Sequence, residues 1–200
     1  MVLQHVEKRR RPVRVGTIVE GQVNRRGPIR RLNAPHAQGT VLLLFTRHYD
    51  EAIEVARRGL EFEPGSGFTL AFQGVAYAEQ GRFEEALDNL QRAVQLDDSL
   101  TIRALQAHVL AVAGRKAEAA AVIRQVQEEA KHRYFCPYEI ATVYASLGDN
   151  ETAYELFRKG TNERADCMPW LGVEPWLDRF RLDPRYRTLL RDIGLAPLAR

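Results

Sequence analysis

Residues 67–97 read GFTLAFQGVAYAEQGRFEEALDNLQRAVQLD and contain two apolar patterns with a glycine between them. In the first half, Leu70, Gly74 and Tyr77 recur at spacings of four and three. In the second half, similar spacings link Phe83, Ala86, Leu90, Ala93 and Val94. Apolar residues at these spacings indicate amphipathic helices. Gly81 suits the left-handed residue that follows a helix end. The stretch therefore predicts a helix, a tight turn and a second helix.

This unit recurs with a period of 33 to 34 residues. The turn glycine returns as Gly114 and Gly148, and an alanine follows each glycine five residues later, at Ala86, Ala119 and Ala153. Ala52 continues the same phase one unit upstream. A fixed period in this range marks a chain of stacked structural repeats, each burying its apolar face only against its neighbours. The predicted fold is therefore all-α.

The unit resembles the tetratricopeptide repeat (TPR), a 34-residue helix pair with a small residue, an aromatic residue, a turn glycine, an alanine and often a closing proline. Residues 82–87 and 49–53 match the opening of its second helix, and Pro64 stands at the closing proline. The resemblance covers about residues 33–166 and implies a right-handed α–α superhelix of about four helix pairs. The first copy departs from the pattern, because Arg47 replaces the turn glycine.

The C-terminal region, residues 167–200, is predicted to be a connector and a capping helix that covers the open end of the array. Asp183 suits the helix N-cap, Pro184 the first turn, and Gly194 the position after the last turn. The apolar stripe of this helix is Tyr186, Leu189, Leu190 and Ile193. The connector residues expected to fill the last groove are Trp170, Trp176, Leu177 and Phe180.

A second resemblance concerns residues 134–195, which look like the C-terminal tail of bacterial multidomain regulators. In those proteins TPRs follow a serine/threonine kinase, an adenylyl cyclase or a winged-helix DNA-binding domain. The likeness rests on residues 136–149, CPYEIATVYASLGD, and 182–195, LDPRYRTLLRDIGL. Residues 15–27 resemble the strand and turn before the repeats, which implies that residues 1–32 are the remnant of an α/β domain. The alternative is a solvated basic tail.

Charge is unevenly distributed along the 200 residues. The net charge is +3, yet residues 1–31 contain nine Lys or Arg against two Glu, so the remainder is mildly acidic. Nucleic acid could therefore be bound only through residues 1–31. No apolar stretch is long enough for a signal peptide or a membrane span. Two cysteines are far too few for a disulfide-stapled scaffold, and a reducing cytoplasm is the expected location.

No catalytic or metal-binding constellation is recognisable. The five histidines are scattered without ligand spacing, and Cys167 has no identifiable activating neighbour. Gly16, Gly21 and Gly27 are too widely spread to form a phosphate-binding loop. We therefore predict a non-enzyme without cofactor or metal.

The TPR resemblance implies that the first helix of each pair lines a concave groove where partners bind. Mapping by phase gives the candidate groove residues Phe68, Ala71, Phe72, Val75, Leu105, His108, Tyr138, Glu139 and Thr142. In the first helix of copy two, Phe68, Phe72 and Val75 form a second apolar stripe, which either a partner or neighbouring parts of the chain must cover. Because the groove positions are mostly apolar or neutral, an apolar peptide or helix is favoured over a terminal carboxylate.

These features lead to one main functional hypothesis and two alternatives. The main one is a protein–protein interaction scaffold, the docking or sensory module of a bacterial signalling or transcriptional regulator. The first alternative is a nucleic-acid-associated factor that uses the basic leader, residues 1–31. The second is a truncated fragment of a kinase or cyclase with no independent activity.

Overall fold

The computed structural model describes residues 35–195, with side chains from Ala37 onward. The predictions for the basic leader, residues 1–32, lie outside this range. Across the described residues the regular elements are all helical, so the all-α prediction is confirmed. The α-helices are α1 (Pro35–Phe45), α2 (Tyr49–Phe62), α3 (Gly67–Glu79), α4 (Phe83–Leu96), α5 (Leu100–Val112), α6 (Lys116–Glu129), α7 (Pro137–Leu147), α8 (Asn150–Asn162) and α9 (Tyr186–Asp192).

Helices α1 to α8 form four consecutive hairpins: α1 with α2, α3 with α4, α5 with α6, and α7 with α8. The first helices α1, α3, α5 and α7 also contact one another in that order. The second helices pack mainly on first helices. The first helices therefore form a continuous inner layer and the second helices an outer one. This is the predicted superhelix of helix pairs.

The turns inside the four pairs share one backbone geometry. Gly81, Gly114 and Gly148 have φ angles of 77°, 83° and 84°, and Arg47 occupies the same place with φ 64°. In each turn the next amide donates to the carbonyl oxygen five positions back, which closes the helix end. Arg47 thus adopts a conformation that is costly for a residue with a Cβ atom.

Small residues let the two helices of a pair approach each other. A Cβ atom added at Gly74 would lie 2.9 Å from the carbonyl oxygen of Ala86. Ala86, Ala119 and Ala153 are completely buried. The periodic alanines therefore face the interior, as their phase predicted.

After α8 the chain follows an irregular path through three 3₁₀ turns, at Met168–Gly172, Pro175–Leu177 and Phe180–Leu182. The capping helix α9 begins at Tyr186, so the predicted start at Asp183 and Pro184 is wrong. The Asp183 Oδ1 atom accepts a hydrogen bond from the Arg185 amide (2.9 Å), which shapes a turn before the helix.

The buried face of α9 closes the last repeat. Tyr186, Leu189 and Leu190 are buried in one apolar cluster with residues of α7 and α8. Gly194 has φ 78°, as expected for the residue that follows the helix end.

Candidate functional site: the concave groove

The predicted groove residues lie on the first helices but do not form one open surface. Phe68, Phe72, Leu105 and Glu139 are half-buried. The other five are buried, with at most 7% of their surface exposed: Ala71, Val75, His108, Tyr138 and Thr142. The assignment of these nine residues to partner binding remains a prediction. The structure shows that something already covers part of the groove.

The cover is the segment that follows the last repeat, residues 167–185, which we call the connector. The Trp176 ring lies 5.9 Å from the Phe45 ring on α1 and 5.4 Å from the His108 ring on α5, measured between centroids. Trp170 also contacts Phe45, at 5.2 Å. The connector therefore reaches from the last repeat to the first, well beyond the last groove where the sequence analysis placed it.

One part of the connector belongs to the hydrophobic core. Leu171, Leu177 and Phe180 have at most 1% of their surface exposed and lie in the cluster formed by α7, α8 and α9. The Phe180 ring is 5.0 Å from Phe157 of α8. Burial of these large side chains supplies most of the attachment, since buried apolar area stabilises by about 25 cal/mol per Å².

The other part is held at the surface by charge. Arg47 donates from Nη2 to both carboxylate oxygens of Asp178, at 2.9 and 2.8 Å, and about half of each side chain is exposed. Arg181 pairs with the same carboxylate from within the connector. An exposed ion pair of this kind contributes only about 0–1 kcal/mol. The ion pair mainly positions the connector, because it holds Asp178 against the turn between α1 and α2.

His108 lies in the floor of the groove beneath Trp176. Its Nδ1 atom is 2.7 Å from the Ser146 hydroxyl on α7, while its Nε2 atom is buried without a hydrogen-bond partner among the described residues. Burial lowers the pKa of His108 to about 4, so the imidazole is neutral near pH 7. A neutral ring can stack on an indole without the cost of burying a charge.

A buried carboxyl group faces the groove from the connector side. Burial raises the pKa of Glu174 to about 8, and neighbouring Tyr138 also has a pKa well above its usual value. The Glu174 Oε2 and Tyr138 Oη atoms are both buried, and the Glu174 carboxyl interacts with the side chains of Tyr138 and Trp176. Glu139 on α7 is similar, since burial raises its pKa to about 7. The groove therefore contains buried ionisable groups whose neutral forms are favoured by burial.

A disulfide joins the start of the connector to the last repeat. It links Cys136, which precedes α7, to Cys167, with 6.7 Å between the Cα atoms. The sequence analysis did not predict this pairing. The bond fixes the first residue of the connector to the beginning of α7.

The edge of the groove near α3 remains partly exposed. The Phe68 and Phe72 rings lie 6.4 Å apart and pack with Leu105 at the margin of the apolar cluster around α3. These residues are the apolar stripe singled out from the sequence, and they are the most accessible large apolar side chains among the predicted groove positions.

The groove residues that the sequence analysis missed are Phe45, Arg47, Glu174 and Asp178. One signal was present, because Arg47 replaces a turn glycine, and a costly substitution at a tight turn points to another role for the side chain. Among the described residues we find no group of three or more potential metal ligands. None of the described helices is long and apolar enough to cross a bilayer.

Comparison with known proteins agrees with the geometry of the central repeats. Residues 68–100 and 101–125 each match a family model described as "Tetratricopeptide repeat". No curated protein matches the sequence significantly. Such repeats support a general role as a protein–protein interaction scaffold. The middle of this chain, residues 68–125, is therefore similar to tetratricopeptide repeats.

Proposed function

We propose that the chain is a non-catalytic scaffold that binds a protein segment, a peptide or a helix, along the concave face of its repeats. One observation carries the proposal: an irregular, aromatic-rich segment of the chain itself already lies against this face, with Trp176 between Phe45 and His108. A groove that accepts one such segment has the shape and chemistry to accept another. By its resemblance to bacterial regulators, we further propose that it is the docking or sensory module of a signalling or transcriptional regulator.

Phe68 and Phe72 are the best candidates for direct contact with a partner. Both rings are half-buried, adjacent and located on an inner-layer helix. Aromatic residues that are rigidly held and partly exposed are typical anchors of protein interfaces. Both pack on the apolar cluster around α3 and keep part of their surface exposed to a partner.

The test is affinity capture with the full chain as bait, comparing the wild type with a Phe68→Ser and Phe72→Ser double variant. We expect the double variant to lose partner capture by about tenfold or more, which corresponds to about 1.4 kcal/mol. Leu96→Ser is the matched control, because Leu96 is half exposed at the end of an outer-layer helix. Unchanged capture by a double variant with wild-type helicity, measured by circular dichroism, would contradict the proposed site.

A nucleic-acid role is the second candidate, and it rests on the nine basic residues within positions 1–31. Binding through these residues would fall steeply with salt, because neutralised phosphates release counterions. Deleting residues 1–31 distinguishes the two functions: nucleic-acid binding would be abolished, whereas partner capture through the repeats would remain.

A further inference from the structure

Trp176 and Asp178 join the connector to helices far from the last repeat. Leu177, between them, is buried against the last repeat, and Trp176 packs at the edge of the same cluster. Trp176 also contacts Phe45 and His108, and Asp178 pairs with Arg47. We call the surface formed by Phe45, Arg47 and His108 the aromatic seat.

The aromatic seat is only loosely closed. Asp178 and Arg47 are about half exposed, and Trp170, the other ring on Phe45, is 47% exposed. The contacts of the seat therefore depend on tilted ring contacts and on an exposed ion pair, each of modest strength. The core residues of the connector can keep their places while these surface contacts exchange.

One polar atom of the seat is left unsatisfied by the present occupant. The His108 Nε2 atom, on a residue that is 1% exposed, has no hydrogen-bond partner among the described residues. A buried polar atom without a partner has a free-energy cost that an occupant with a matching donor or acceptor can remove.

We propose that the aromatic seat is the docking site for a partner segment with the chemistry of Trp176 and Asp178: an aromatic ring and, two residues later, a carboxylate. The partner's aromatic ring replaces Trp176 on Phe45 and His108, and its carboxylate replaces Asp178 on Arg47. The connector then acts as an internal competitor that keeps the seat closed until the partner arrives. This inference rests on the proposed scaffold function and specifies the partner that the scaffold takes.

The inference is tested with the full chain and a fluorescein-labelled peptide of sequence VEPWLD, residues 173–178. Binding is followed by fluorescence anisotropy. A Trp176→Ala and Asp178→Ala double variant removes both contacts of the internal competitor. We expect it to bind the peptide at least about tenfold more tightly than the wild type. A peptide with alanine in place of tryptophan should not bind, and adding Phe45→Ala to the double variant should abolish binding.

Asp178→Arg provides a second variant at a half-exposed position. It places like charges together at Arg47 and at Arg181, and we expect it also to increase peptide binding. The inference is wrong if the variants keep wild-type helicity but do not bind the peptide more tightly than the wild type does. Should partner capture still depend on Phe68 and Phe72 in that case, the scaffold function stands and only the inference about the seat fails.

Discussion

At the scale of single residues, two glycines are required for two different physical reasons. Gly114 lies in open space but has φ 83°, so only backbone conformation restricts it. Gly74 lies inside α3, where an added Cβ atom would meet the backbone of α4 at 2.9 Å. Gly114 is therefore required for its backbone conformation, and Gly74 is required because it has no side chain.

These reasons predict different responses to alanine. Gly114→Ala should lower the free energy of unfolding by about 1–2 kcal/mol, because alanine is strained in the left-handed region. Gly74→Ala should lower it by about 1–3 kcal/mol through overpacking, partly offset by the better helix propensity of alanine.

Gly39→Ala in α1 is the matched control, since its added Cβ atom would make only an ordinary contact at 3.4 Å, with Val55. Urea denaturation measures all three variants. A loss for Gly39→Ala equal to that for Gly74→Ala would contradict the steric explanation.

The buried carboxyl of Glu174 predicts a pH dependence of stability. Its pKa rises from 4.5 to about 8 on folding because burial disfavours the charged form. The folded state therefore holds this proton more tightly than the unfolded state. The contribution of the protonated Glu174 carboxyl to the free energy of unfolding is fully present below about pH 4.5 and is lost as the pH rises to about 8.

Glutamine cannot ionise, so Glu174→Gln should lose less stability between pH 5 and pH 8.5 than the wild type does. Thermal unfolding at the two pH values measures the difference. Glu139, whose pKa is raised to about 7, contributes a slope of the same sign, and its charge also raises the pKa of Glu174, so the difference in slope reports the two carboxyls as a pair. Equal slopes for wild type and variant would show that Glu174 is not buried as described.

At the scale of elements, the connector combines core residues and surface residues in one short segment. Phe180 is 1% exposed and lies between Phe157 and Tyr186, whereas Leu182, two residues later, is 73% exposed. The connector is therefore part of the folded unit, although its turns carry no helical repeat pattern.

This division predicts unequal effects of truncation. Phe180→Ala should lower the free energy of unfolding by about 3–5 kcal/mol, because it leaves a cavity between packed rings. Leu182→Ala should change it by less than about 0.5 kcal/mol. Chemical denaturation of both variants checks the contrast, and similar losses would mean that the connector does not pack against the last repeat.

At the scale of the whole molecule, the sequence predicted the helix pairs well and the connector path poorly. Gly81 and Ala86 recur with their copies at a fixed period, so local pattern and long-range packing agree for the repeats. The contact between Arg47 and Asp178 joins residues 131 positions apart and leaves no periodic trace. The start of α9 was placed too early because Asp183 and Pro184 suit a turn as well as a helix.

In the candidate site too, residues within the repeats could be predicted from the sequence and the contacts of the connector could not. Phe68 and Phe72 could be located from helix phase, because their helix belongs to the repeat. Nothing in the local sequence of Trp176 indicated that its ring would lie on Phe45 and His108. Non-periodic contacts of this kind require knowledge of how the two ends of the array lie in space.

The central claim is that the connector closes the concave groove between the first and last repeats. The most direct measurement is an isotope-edited NOE spectrum of the full chain, in which the two tryptophans are distinguished with a Trp170→Phe variant. Since the Trp176 and His108 ring centroids lie 5.4 Å apart, we expect NOEs from the Trp176 indole to His108 and to Phe45. A Trp176 indole without NOEs to either ring, in a protein with wild-type helicity, would contradict the account.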